Sequence, residues 1–122
     1  MGVTFHDVLK LSLTATGSVS AARVVGFDGA QATTKGQLVA GVADYGVAMG
    51  DDFPVTMLGT ALVEAGGEIA VGTPLTCDAA GRAIEADFED GQYIFGIAMT
   101  AATGAGKPIE AFLNGWQIKP EE

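Results

Sequence analysis

Two stretches of this chain follow one pattern, and an internal repeat constrains a fold more tightly than any single motif. From Val19 to Leu58 an apolar run leads to a turn at Asp28-Gly29. Then come Leu38-Val39-Ala40-Gly41-Val42-Ala43, a loop, and Phe53-Pro54-Val55-Thr56-Met57-Leu58. From Ile69 to Leu113 the order recurs. Thr73-Pro74-Leu75-Thr76 leads to a turn at Asp78-Ala79-Ala80-Gly81, then to Tyr93-Ile94-Phe95-Gly96-Ile97-Ala98, a loop, and Lys107-Pro108-Ile109-Glu110-Ala111-Phe112-Leu113. Two copies are too few for a solenoid or propeller, which takes about three or more. The pattern predicts one compact domain built of two similar β-units, about 19–58 and 69–113.

The local signals are those of short strands. Val24 to Phe27 ends in Asp28-Gly29, a favoured turn pair. Leu38 to Ala43 reads as a buried strand with a central Gly41, which marks a bulge or a close backbone approach. Pro54 opens a strand over Val55–Leu58, a place where proline is tolerated, and Thr60–Glu64 continues the pairing. Asn114-Gly115 reads as a turn before a closing strand from Trp116 to Lys119. Helix signals are scarce; Ala79–Phe88 and Ala98–Ala105 allow one or two short turns at most. Strands punctuated every eight to twelve residues or so predict an all-β barrel or sandwich. Val3, Phe5, Leu9, Leu11 and Leu13 occupy alternate positions, as on one face of a strand. Residues 1–14 are therefore expected to form an extended N-terminal arm, unpaired in the free protein; a short helix over Phe5–Leu11 is the competing reading. The single domain spans 15–119, and 120–122 form a tail.

The chain has 122 residues, enough for one domain with a core that needs no disulfide or metal. It is 48% hydrophobic with one cysteine, and no apolar run approaches the roughly 18 residues of a membrane span. Such a subunit is expected to hide surface in a homo-oligomer. The formal charge is −9 with only six Lys and Arg, too few for a phosphate-neutralising stripe, so neither nucleic acid nor an anionic membrane is an expected partner. Residues 1–14 carry His6, Asp7 and Lys10 and no long apolar stretch, so no signal peptide is expected.

Catalytic and metal chemistry find little support. His6 is the one histidine and Cys77 the one thiol, so no His/Cys zinc cluster can form. Cys77 reads as a small packed hydrophobe. Asp51-Asp52 and Glu89-Asp90 pair acids without calcium-loop spacing. Ser12, Ser18 and Ser20 have no local base, and no nucleophile elbow appears. Gly104-Ala105-Gly106-Lys107 lacks the spacing of a phosphate loop. Arg23 and Arg82 are the only arginines, and neither sits in a nucleotide-hydrolysing context. Phe112 and Trp116 suit a core or an oligomer interface equally. No catalytic residue, metal or cofactor is expected.

One stretch carries a resemblance. It runs Leu58-Gly59-Thr60-Ala61-Leu62-Val63-Glu64-Ala65-Gly66-Gly67-Glu68-Ile69-Ala70-Val71-Gly72-Thr73-Pro74-Leu75-Thr76 and on to Asp78-Ala79-Ala80-Gly81-Arg82-Ala83. This resembles a family of small tailed-phage and prophage proteins, the capsid decoration or cement proteins. Gly26-Phe27-Asp28-Gly29 and Gly41-Val42-Ala43 also fit, and the likeness covers about residues 17–115. The family is similar to the trimeric head-decoration proteins of lambda-type phages. The resemblance implies a small β-clip or "tulip"-like fold and a non-enzymatic virion protein. It implies a homotrimer on the outer surface of the expanded head, at three-fold or quasi-three-fold points, clamping the major capsid protein after synthesis in the bacterial host cytoplasm. On that reading Val3, Phe5 and Val8 in the arm are expected capsid contacts, and Phe112 and Trp116 expected oligomer contacts. The alternatives are a ligand-binding module of the same topology and a trimeric nucleotide-hydrolysing enzyme.

Overall fold

The computed structural model describes residues 7–86 and 92–118, with the side chains of 9–86 and 92–113. Eight strands follow one another: β1 (Asp7–Thr14), β2 (Val24–Val25), β3 (Gly41–Ala43), β4 (Asp52–Glu64), β5 (Pro74–Cys77), β6 (Ala83–Glu85), β7 (Ile94–Ala98) and β8 (Pro108–Ile118). The described residues contain no helix. Where short helical turns were expected after Ala79, the Asp78 carboxylate accepts from the amides of Ala80 (2.9 Å) and Arg82 (2.8 Å). A side chain that binds its own backbone offers the chain a turn in place of a helix.

The strands form one antiparallel sheet in the order β2-β3-β4-β8-β7-β5-β6, with β1 added on β4. The two ends of this order meet. The Val24 amide donates to the Gly81 carbonyl (2.8 Å), and the Gly36 amide to the Cys77 carbonyl (2.9 Å). The sheet is thus a nearly closed barrel, which leaves little unpaired edge.

The same contacts recur along the chain. Val19 bridges Val47, and Ile69 bridges Ala102. The Ala22 amide donates to Ala43 O (3.0 Å), and that of Gly72 to Ala98 O (2.8 Å). The Ala15 amide donates to Asp51 O (2.9 Å), and that of Ala65 to Lys107 O (2.8 Å). The register recurs too: Leu11 faces Val55 and Val55 faces Ala43, as Ala61 faces Ala111 and Ala111 faces Ala98. The core is split in two, and the larger part takes in Val24, Ala32, Val39 and Val42 of the first half as well. A smaller cluster gathers Ala15, Val19, Val25, Ala43, Phe53 and Val55, and a larger one centres on Val63, Leu75, Phe95, Ile109 and Leu113.

Three local expectations differ from the structure. Residues 7–14, expected to be unpaired, are strand β1, hydrogen-bonded to β4 with Leu11 opposite Val55 and Leu13 opposite Phe53. Leu13 packs on the smaller core, and that burial draws the segment onto the sheet. Residues 1–6 lie outside the described residues. Pro54 does not open its strand but sits inside β4 opposite Ser12. Asn114-Gly115 is no turn: β8 runs through it, with Asn114 opposite Leu58 and Ile118 opposite Ile94. A register shift between Ile94 and Gly96 absorbs the irregularity, and pairing on both sides overrides the local turn preference.

The repeated glycines Gly41 and Gly96 are required by close approach. A Cβ on Gly41 would stand 2.2 Å from Thr56 O, and one on Gly96 2.5 Å from Phe112 O. Both obstacles are backbone of the adjacent strand and cannot swing away. Gly41→Ala and Gly96→Ala are each expected to destabilise by about 2–3 kcal/mol, the upper range for overpacking. Gly67→Ala, with open space around its Cβ position, is expected to stay within about 0.5 kcal/mol of wild type. Urea unfolding of the three variants measures this.

Candidate functional site

Six charged side chains gather in two clusters, Arg23, Glu64, Asp78 and Arg82 in one and Lys10 and Asp44 in the other. In the first, Arg23 donates to Ala80 O (2.8 Å) and to Glu64 Oε2 (3.2 Å). Arg82 reaches the same Glu64 oxygen at 3.8 Å and donates from Nε to Asp78 Oδ2 at 3.1 Å. Gln31 donates to Ala80 O as well (2.8 Å). Sequence reasoning left the two arginines without a role; the fold brings both to one carboxylate. The spacing along the chain gives no sign of it, because Arg23 and Glu64 meet only once β2 and the end of β4 come together. Each guanidinium is matched by a carboxylate, so this cluster offers no spare positive charge for an anionic substrate.

In the second cluster, Thr56 donates to Asp44 Oδ1 (2.9 Å) while Lys10 binds the other oxygen of Asp44. This ties β1 to the loop after β3 across β4. Among the described residues no group of three or more His, Cys, Asp or Glu could hold a metal ion. Cys77 is buried, its Sγ 3.5 Å from Thr34 O. Burial pushes its thiol pKa up, so the thiol is neutral and shielded rather than nucleophilic.

What remains available is surface. Large apolar side chains stand out from the body at Leu9 and Leu11 on β1, Ile97 on β7, Phe112 on β8, and at Phe27, Tyr45, Met49, Val71 and Met99 in the connections. Ile97 lies directly opposite Phe112 across the β7–β8 pair. Of the sequence-derived candidates, Phe112 is thus at the surface and not in the core. Trp116 is on β8 and Val8 on β1, and the side chains of both lie outside the described ones. Val3 and Phe5 lie outside the described residues.

The pattern is that of a β-body with apolar side chains at its surface and no metal-binding group among the described residues. A family model described as phage cement protein matches residues 3–113. The chain belongs to the phage cement protein family. It is accordingly a structural protein of the phage capsid, located at the outer surface of the virion head. The fold is similar to that of the N base of head fiber gp8.5 of bacteriophage phi29. There the TM-score is 0.68 at 24% identity, covering 91% of this chain and 98% of that one. No curated protein matches.

Cys77 gives this cement protein a pH signature. A thiol whose pKa is raised on folding contributes stability that is full below its unfolded value, about 8.5, and is lost as the pH rises through the folded value. The stability advantage of wild type over Cys77→Ala is expected to shrink as the pH rises above about 8.5. Urea unfolding of the pair on either side of that pH checks it; a constant difference would contradict the burial of the thiol.

Proposed function

We propose that this chain is a non-enzymatic decoration protein, a homotrimer of the β-clip kind. It binds the major capsid protein on the expanded head at three-fold or quasi-three-fold points and stabilises the shell against internal pressure. The observation that carries this reading is the cement-family match over 3–113. The all-β body, with Arg23 and Arg82 held on Glu64 and Asp78, supports it, since a clamp needs stiffness and contact surface and no pocket. Avidity does the rest: several copies engaging several lattice sites at once convert modest single contacts into firm binding.

In this reading Val3, Phe5 and Val8 contribute capsid contacts. The segment ahead of β1 adds to capsid strands through main-chain hydrogen bonds. β1 itself is already paired from Asp7, so the critical deletion is short. Removing residues 2–6 keeps the described body. The truncated protein is expected to retain the wild-type melting temperature within a few degrees but to stay in the supernatant when co-sedimented with expanded, undecorated heads of its own phage. Wild type is expected in the pellet, with cryo-EM density at three-fold positions. Wild type left in the supernatant would overturn the function, and a truncated protein that decorates normally would overturn the role of the segment.

A further inference from the structure

The recurring contacts give each half of the chain a row of cross-strand neighbours at the same place. In the first half it runs Val24–Val42–Thr56–Lys10 across β2, β3, β4 and β1. In the second it runs Pro74–Ile97–Phe112–Thr60 across β5, β7, β8 and β4. Their surroundings are opposite. Val24 and Val42 are fully buried and belong to the larger core cluster together with Ala61, Val63, Ile109 and Ala111, so the second half covers this face of the first. Ile97 and Phe112, at the matching places, are 45% and 44% exposed.

The chemistry of the open row is that of a covered one. Where the first half has Asp44, receiving Thr56 and Lys10, the second half has Met99, its amide on Glu110 O as that of Asp44 is on Pro54 O. Met99 is 47% exposed. The exposed face of the second half thus has Met99 where the first half has Asp44, and Glu110 where the first half has Pro54; its centre, Ile97, Phe112 and Met99, is a half-exposed apolar patch, the reverse of what solvent selects. The first half has the reciprocal gap. Ala61 on β4 is 2% exposed, whereas Leu11, its counterpart on β1, is 48% exposed.

We infer that the Ile97–Phe112–Met99 face of one copy packs on the β1 face, at Leu11, of a second copy of this chain. The inference rests on the homo-oligomer proposed above and not on capsid binding. The occupant is fixed by the molecule itself: the chain already makes this contact once, between its own halves, and another copy presents the same two surfaces. The contact is head-to-tail. Such a contact propagates until the rotation closes a ring, in which internal and intermolecular contacts of one kind alternate. Copies that each carry −9 meet through the apolar side chains of Ile97, Phe112, Met99 and Leu11, with Glu110 beside Phe112 on β8, so salt is expected to favour assembly by screening the remaining charge.

Two charge-introducing variants test this by light scattering after gel filtration. Wild type is expected as three chains. Phe112→Asp and Leu11→Asp, both at exposed positions, are expected to keep the wild-type circular dichroism and to run as single chains of 12.3 kDa. Mixed one to one, they retain one intact contact between them and are expected to give a two-chain species and nothing larger. A monomeric wild type, an oligomer that survives either substitution, or a mixture that stays monomeric would overturn the proposal. Should a variant unfold, the double variant Leu11→Cys/Phe112→Cys treated with a flexible bismaleimide decides. A ladder of linked chains supports the contact, and its absence overturns it. A monomeric wild type that still decorates heads would remove this contact and leave the capsid role standing.

Discussion

The architecture depends on one strand serving two neighbourhoods. β4 is thirteen residues long. Its first part pairs with β1 and β3, and its second part pairs with β8. The change falls at Gly59, whose φ of 105° is open to glycine and strained for other residues. A strand used this way couples the two halves mechanically: the backbone that closes the smaller core is continuous with the backbone that floors the larger one. The halves cannot separate without breaking the ladders on β4.

A second coupling is polar. The carboxylate of Glu64, at the end of β4, holds Arg23 of the first half and faces Arg82 of the second. Arg23 also reaches the turn at Ala80, next to the Gly81 carbonyl that receives the Val24 amide. Side-chain and main-chain bonds therefore close the barrel at one seam. Ion pairs that are only part-exposed add modest free energy, but their geometry specifies which edge meets which. The seam also engages the only two arginines of an acidic chain.

The repeat was legible in the sequence because each half must satisfy the same backbone constraint. Gly41 and Gly96 stand where the next strand leaves no room for a side chain, and the alanines after them, Ala43 and Ala98, hold equivalent places in the two cores. The all-β class followed from turn chemistry at Asp28 and Asp78, where the carboxylates do take nearby amides. What was not legible depends on the closed sheet. β1 has the alternation of an arm and of a strand alike, and only the presence of β4's unpaired edge decides between them. Asn114-Gly115 has the composition of a turn, but pairing on both flanks outweighs a local preference of a fraction of a kcal/mol. Phe112 is a large apolar residue between two buried ones, Ala111 and Leu113, and alternation alone leaves open whether its face is core or contact. The meeting of Arg23 with Glu64 is a property of ring closure and has no local signature.

A cement protein must be stiff when free and adhesive only toward its own lattice. The distribution of polarity meets both demands. Stiffness comes from the two cores and the shared strand. Restraint comes from the net negative charge, which repels other acidic surfaces. The faces at Ile97 and Leu11 lie on paired strands and not on loops, so little side-chain or backbone freedom is lost when they are covered. On the proposed contact, little binding free energy then goes into ordering these two faces.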